Sequence, residues 1–249
     1  MTFRKASDSD KQQIYNLWEE AFGDSETVID KFFESVLNFD NVILCCDGEK
    51  TVSMLSLIPA NIVSADGQKA DAYCVYAAAT DKNYRKRGIM SKLLDFSAEL
   101  AAERNADFLF LHPANEKLYS YYEKNGFEKA FFLSEQKQLS EIDDNFTYSY
   151  VNWGKNILKL NAEFSNNRSF FCEYGYADYS EHDSRIVVNT FFGGNVKALL
   201  NALSEYEDNK NVYVSLPSEP AESVCTQGMI RLLSSKKFDE CIYLGISLE

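Results

Sequence analysis

The chain has 249 residues, of which 45% are hydrophobic and 14% aromatic. That content excludes a disordered polymer, and the length suffices for one large domain or two modest ones. The formal net charge of −13 excludes the broad basic face that bulk nucleic-acid binding requires, so no nucleic-acid partner is expected, whereas a cationic substrate would be attracted.

Residues 2–5 read as a short strand, and Ser7-Asp8-Ser9-Asp10 offers helix caps. Ile14, Leu17, Trp18 and Phe22 recur at helical spacing and predict a helix over 9–22 that Gly23 stops. A second helix is expected over 25–37, with Val28, Ile29, Phe32, Phe33 and Val36 on one face. Three strands follow, over 41–46, 51–63 and 69–80, punctuated by Asp47-Gly48 and Asp66-Gly67 as hairpin turns. A polar, basic turn then leads into a helix striped by Ile89, Leu93, Leu94, Leu100 and Ala101. A short apolar strand over 107–111, a helix over 115–124 ended by Gly126, and a strand over 127–133 complete a mixed α/β order.

Residues 140–146 are acidic and turn-rich, which reads as a junction. The expected organisation is therefore a domain over 1–140, a linker over 141–152 and a second unit over 153–249. In the second unit, Trp153, Ile157, Leu160 and Phe164 predict a helix, and 169–178 with 185–192 a strand pair. Gly193-Gly194 leads into a helix over 195–206, then a strand over 211–216, a helical piece over 229–233 and a final strand over 241–248. This run echoes residues 70–133, without any repeated residue motif.

No apolar run approaches the roughly 20 residues that span a bilayer, so no membrane partner is expected. The start of the sequence carries no apolar stretch of a secretory leader. The six cysteines, at 45, 46, 74, 172, 225 and 241, form no C-x-x-C pair, and most sit among apolar residues. They read as buried free thiols of a cytoplasmic protein. The two histidines, His112 and His182, are far apart, and no metal site is expected.

The sharpest local signal is at residues 80–91. A strand, a basic turn containing glycine and a helix make an anion site, because the first helical amides lack internal acceptors and the helix dipole favours negative charge there. Gly88 lets an anion approach the backbone closely. Arg85, Lys86 and Arg87 place three cations at a helix start, against the macrodipole by ~0.3–1 kcal/mol each. A solvated basic turn would gain nothing from them, whereas a bound polyanion reverses the sign.

Tyr84-Arg85-Lys86-Arg87-Gly88-Ile89-Met90-Ser91 resembles motif A of the GNAT N-acetyltransferases, [QR]-x-x-G-x-[GA], with Met90 where the family more often has Gly or Ala. Asn115-Glu116-Lys117-Leu118-Tyr119-Ser120-Tyr121-Tyr122-Glu123-Lys124-Asn125-Gly126-Phe127 resembles motif B, with Leu118 in place of the usual Ala. The resemblance covers roughly residues 1–140. It implies a GNAT-type mixed sheet flanked by helices, followed by a smaller, degenerate GNAT-like α/β half similar to the Eis-like branch.

The resemblance implies that acetyl-CoA is bound as acetyl donor, with no metal. Its pyrophosphate would rest on the backbone of Arg87, Gly88, Ile89, Met90 and Ser91, beside Arg85 and Lys86. Its pantetheine arm would run along Ala78, Ala79 and Thr80. Asn115 opens motif B, and Tyr122 matches the acid that protonates the leaving thiolate. The implied reaction is direct attack by a primary amine of a small molecule or peptide. The rival reading is a non-catalytic GNAT-fold module that binds acyl-CoA or another protein, and a tRNA-dependent aminoacyl transfer is opposed by the acidic balance. The general base stays open between His112, a water relay to a more distant carboxylate and, as the Eis-like resemblance implies, the terminal Glu249. Trp18, Phe32, Phe33 and Phe39 are candidates for the acceptor wall or the core. The second half is expected to bind no second coenzyme and to wall the acceptor cleft or form a homo-oligomer face.

Overall fold

A computed structural model describes residues 1–236 and 241–246 of the chain. It opens with β1 (Thr2–Lys5), a 3-10 turn and α1 (Lys11–Phe22). Asp10 fixes that entry, taking both terminal guanidinium nitrogens of Arg4 at 2.7 Å and the Ser7 amide at 2.9 Å. The Arg4 hydrogen bonds hold the Asp10 carboxyl well below the usual carboxylate range. Next come α2 (Glu26–Ser35), β2 (Val42–Asp47), β3 (Lys50–Val63), β4 (Lys69–Thr80), α3 (Ile89–Glu103), β5 (Phe108–Leu111), α4 (Glu116–Glu123) and β6 (Glu128–Gln138). These match the expected order through residue 133, and β6 runs on past it.

The second half contributes β7 (Ser149–Asn152), α5 (Gly154–Phe164), β8 (Arg168–Cys172), β9 (Gly175–His182), β10 (Arg185–Phe192), α6 (Val196–Tyr206), β11 (Asn211–Pro217), β12 (Cys225–Leu232) and β13 (Ile242–Tyr243). Four expectations change here. The segment 169–178 is not one strand but the β8–β9 hairpin, turning at Glu173-Tyr174. Ser149–Asn152, expected within a linker, is a strand against β3. The helical piece over 229–233 is instead part of β12. The strand expected over 241–248 is confined, among the described residues, to Ile242–Tyr243.

The described strands form one mixed sheet in the order β1-β2-β3-β4-β5-β12-β6-β11-β10-β9-β8, with β7 pairing both β3 and β13. β4 runs parallel to β5, and β10 parallel to β11. The late strand β12 enters between β5 and β6, antiparallel to both, so the sheet is continuous across residues 140–153. Gly228 permits that insertion, because a Cβ there would lie 2.5 Å from the Leu111 carbonyl oxygen.

Helices cover both faces. On one, α3 and α4 bury Leu93, Leu94, Ala98, Tyr119 and Tyr122 against Leu109, Leu111 and Val75. On the other, α1, α2 and α5 bury Trp18, Phe32 and Leu160 against Phe108 and Phe110. α6 closes the far end with Leu199, Leu200 and Leu203 over Ile186, Val188, Val212 and Val214. Each such leucine, isoleucine, valine or phenylalanine contributes ~1.5–3 kcal/mol by leaving water. Among the described residues no helix is long and apolar enough to cross a membrane. All six cysteines are free thiols; Cys45, Cys46 and Cys74 are buried, whereas Cys225, against expectation, is exposed.

Candidate functional site

The site begins where β4 leaves β5. The two strands pair only at Ala72, Tyr73 and Cys74. Beyond that point Ala77 takes φ 48°, and the register with β3 slips between Met54 and Ser56. This is a β-bulge, which bends its strand and interrupts the pleat. Tyr76 and Ala77 consequently both pack with the α1–α2 face, while Ala78 packs with the α3–α4 face. From Val75 to Thr80 β4 has β3 on one side and, among the described residues, no strand partner on the other.

Thr80 hands the chain to the basic turn. Asp81 shapes it, accepting from the Asn83 amide at 2.8 Å and from Lys50 Nζ at 2.6 Å. Arg85 Nε donates to the Thr80 carbonyl at 2.9 Å, and Arg87 donates to the Asn83 carbonyl at 2.7 Å while lying over the Tyr84 ring. Among the described residues, none of Arg85, Lys86 and Arg87 pairs with a carboxylate. Gly88 is the N-cap of α3 at φ 72°, a left-handed conformation that favours glycine. A Cβ there would meet nothing within 4 Å, so the space above it is open. No side chain caps the helix, and the amides of Ile89, Met90 and Ser91 find no acceptor among the described residues. Three orphan donors, the dipole and unpaired cations converge there, the arrangement that binds phosphate.

A cleft of about 530 Å³ joins this helix start to the bulged strand. Its wall includes Ala78, Ala79, Thr80, Arg85, Lys86, Gly88, Ile89, Met90, Ser91 and Tyr122. Of the sequence-derived site residues only Arg87 and Asn115 stand outside that wall. Arg87 is engaged with the turn, and Asn115 caps α4 through the Lys117 amide at 3.1 Å.

The three tyrosines of α4 separate by their hydroxyls. Tyr119 donates to the Thr226 carbonyl at 2.7 Å, and Tyr121 is bonded to the Ser91 hydroxyl at 3.1 Å. The Tyr122 hydroxyl has no hydrogen-bond partner among the described residues. Its ring is 9% exposed and stands edge-on to Tyr121 and Phe127. Burial, with Tyr121 and Cys74 nearby, pushes its pKa up to about 12. Tyr122 is therefore a phenol that keeps its proton at neutral pH and has it available to a ligand.

Sequence reasoning missed Ala21, Phe22, Tyr84, Leu118 and Tyr121 of the cleft wall. Phe22, placed by helical spacing on one stripe with Ile14, Leu17 and Trp18, is 47% exposed at the end of α1. Trp18 and Phe32 are core residues, and Phe33 and Phe39 pack partly buried against them. His112 lies at the tip of β5, bonded through Nδ1 to the Gln227 carbonyl, whereas His182 sits in the β9–β10 turn. Glu249 lies outside the described residues.

Solved structures share this architecture. Eis1 from Mycobacterium abscessus superposes with a TM-score of 0.68 at 11% identity, over 94% of this chain and 74% of that one. A GCN5-related N-acetyltransferase from Kribbella flavida gives 0.64 at 13%, over 93% and 72%. Another from Anabaena variabilis gives 0.62 at 15%, over 94% and 73%. At such identities the likeness is one of fold. No curated protein matches the chain. The family model described as acetyltransferase (GNAT) domain matches residues 2–130, just over half of the sequence and the part that carries the bulged strand, the basic turn and the residues lining the cleft. The chain belongs to the GNAT acetyltransferase family.

Proposed function

We propose that the protein is an N-acetyltransferase that moves the acetyl group from acetyl-CoA to a primary amine of a small molecule or peptide by direct attack. The observation that carries this reading is the trio of acceptorless amides at Ile89, Met90 and Ser91, opening onto the same cleft as the unpaired edge of β4 and Tyr122. The pyrophosphate occupies those amides, with Arg85, Lys86 and Arg87 around the phosphates. The pantetheine arm lies along Ala78, Ala79 and Thr80 and hydrogen-bonds the open strand edge. A backbone amide of that stretch meets the oxyanion of the tetrahedral intermediate. Tyr122 donates its proton toward the leaving thiolate. Asn115 acts at one remove, by capping the helix that carries Tyr122.

The acceptor enters from the α1–α2 face. Tyr76 stacks there on Phe32, and Trp18 donates to Asp24 at 2.8 Å. Phe164 of α5 stacks on Phe32, and Asn156 donates to the Ser35 carbonyl, which supports the second half as a wall of this cleft. The net charge of −13 favours a cationic amine such as a polyamine, an aminoglycoside or a lysine side chain. The free cysteines support a reducing compartment, the cytoplasm, for this activity.

Met90 lines the cleft where a smaller residue is common in the family, which keeps the non-catalytic acyl-CoA-binding module as the second reading. One assay separates the two. Thiol release from acetyl-CoA that depends on an added amine supports the transferase, and coenzyme binding without release with any amine supports the module.

A further inference from the structure

A second cavity, of about 490 Å³, lies toward the end of the sheet away from the cleft at α3. Its wall includes Phe108, which pairs with Ala72 in the first part of β4, whereas the cleft begins at Ala78 to Thr80. The cavity arises because β11 is shorter than the strand it flanks. β11 pairs with β6 only from Leu133 to Gln138 and ends at Pro217. From Glu128 to Phe132, β6 has β12 on one side and, among the described residues, no strand on the other. The chain leaving β11 then crosses β6. The Ser218 amide donates to the Phe132 carbonyl at 3.0 Å and the Val224 amide to the Leu133 carbonyl at 2.9 Å, and β12 follows on the far flank.

The cavity has an apolar floor. Phe131, Ile230 and Ile242 line it and belong to the cluster packed by α1, α2 and α5. Its walls carry charge of one sign. Glu128 and Glu219 form no ion pair among the described residues. The Cys241 thiol donates to Glu219 at 3.4 Å. Lys129, the one basic residue among the described lining residues, follows Glu128 on β6 and so points to the other face of the strand. Its ammonium there lies 5.3 Å from the centroid of the Tyr119 ring. Ser218 gives an independent signal. It lines the same cavity at 7% exposure, and its hydroxyl is buried with no hydrogen-bond partner among the described residues. Buried hydroxyls are as a rule paired, so this one is a donor and acceptor left over for a ligand.

We propose that this cavity is a second binding site, for an amphipathic amine. The apolar ring body of the ligand rests on Phe131 and Ile230, its ammonium faces Glu219 and Glu128, and a polar group meets the Ser218 hydroxyl. An apolar concavity of about 300–1,000 Å³ with a few polar groups is the usual form of a small-molecule site. Two carboxylates without a cation select the sign of the ligand, because an anion would be repelled and an uncharged hydrocarbon would leave both charges unanswered. No bond is made or broken there, and the site stands or falls apart from the acetyl-transfer reading.

The test titrates the full chain with gramine, an indole whose tertiary amine is cationic at neutral pH and is no acceptor for acetyl transfer, and with indole-3-acetate, its counterpart of opposite charge. Calorimetry should find one gramine per chain and no bound indole-3-acetate. Glu128→Gln and Glu219→Gln together should raise the gramine Kd by about 10- to 100-fold, and each alone by part of that. Ser218→Ala should raise it by about 3- to 10-fold. Without ligand each variant should unfold near the wild-type Tm, so that a lost signal is not a lost fold. A wild type that takes up no gramine would overturn the proposal, as would equal binding of gramine and indole-3-acetate. A gramine Kd unchanged in the double glutamate variant and in Ser218→Ala would place the amine elsewhere, in the acceptor cleft, and overturn it too.

Discussion

The chain builds the same local device twice, as β4–turn–α3 and as β10–turn–α6, and the two copies differ in what they do with the helix start. Both are strand, glycine turn and helix joining parallel neighbours of the sheet. At α3 no side chain caps the helix, and three amides lack acceptors. At α6 Asn195 accepts from the Ala198 amide at 3.0 Å. The glycines differ in the same sense. Above Gly88 a Cβ would meet open space, whereas a Cβ on Gly193 would lie 2.1 Å from the Tyr174 carbonyl oxygen. The nearby Lys197 is spent on the Ile142 carbonyl and Asp144, while Arg85, Lys86 and Arg87 form no carboxylate pair among the described residues. One junction leaves its donors without acceptors among the described residues and the other consumes them in the fold, so a strand–glycine–helix pattern without unpaired charge is no guide to an anion site.

This contrast is open to direct attack, and the largest expected effect is at the first junction. Tyr122→Phe removes the one tyrosine hydroxyl of α4 that has no partner among the described residues. It should lower kcat by about 10²- to 10⁴-fold while leaving acetyl-CoA affinity near the wild-type value, as read by steady-state kinetics and calorimetry. The second junction should answer in stability alone. Gly193→Ala forces a side chain against main chain and should cost about 1–3 kcal/mol, seen as a lower denaturant midpoint. Asn195→Ala removes a cap and should cost about 1 kcal/mol in the same measurement. Neither change at α6 should alter the acetyl-CoA-induced thermal shift, and titration calorimetry should return one coenzyme per chain.

The first half was legible because its signals are local. Amphipathic periodicity over Ile14 to Phe22 and Leu93 to Ala101, and the turns at Gly48 and Gly67, report neighbouring geometry directly. The basic turn was legible as a candidate anion site because Arg85 to Gly88 reverse the sign of a chain of net charge −13. The second half was harder, because its strands are set by distant partners. β12 holds a short apolar run, Met229-Ile230, whose periodicity fits helix or strand; pairing with β5 and β6 decides for strand. β7 is only four residues long and draws its identity from the far end of β3. The β8–β9 turn lacks a usual turn pair ahead of Gly175. His112 carries no local sign of its bond to Gln227, which is 115 residues away in sequence.

The central claim is that acetyl-CoA binds at the uncapped start of α3, and thermal unfolding of the wild type and Gly88→Asp, each with and without acetyl-CoA, tests it most directly. Asp tolerates the left-handed conformation better than most residues and meets open space there, so the fold should survive while the carboxylate repels phosphate. Coenzyme at 100 times its Kd should add ~2.7 kcal/mol to the wild type, or roughly 5–10 °C in Tm for a chain of this size, and nothing to Gly88→Asp. An equal shift in both proteins would place the coenzyme elsewhere, and no shift in either would reduce the basic turn to a solvated helix start.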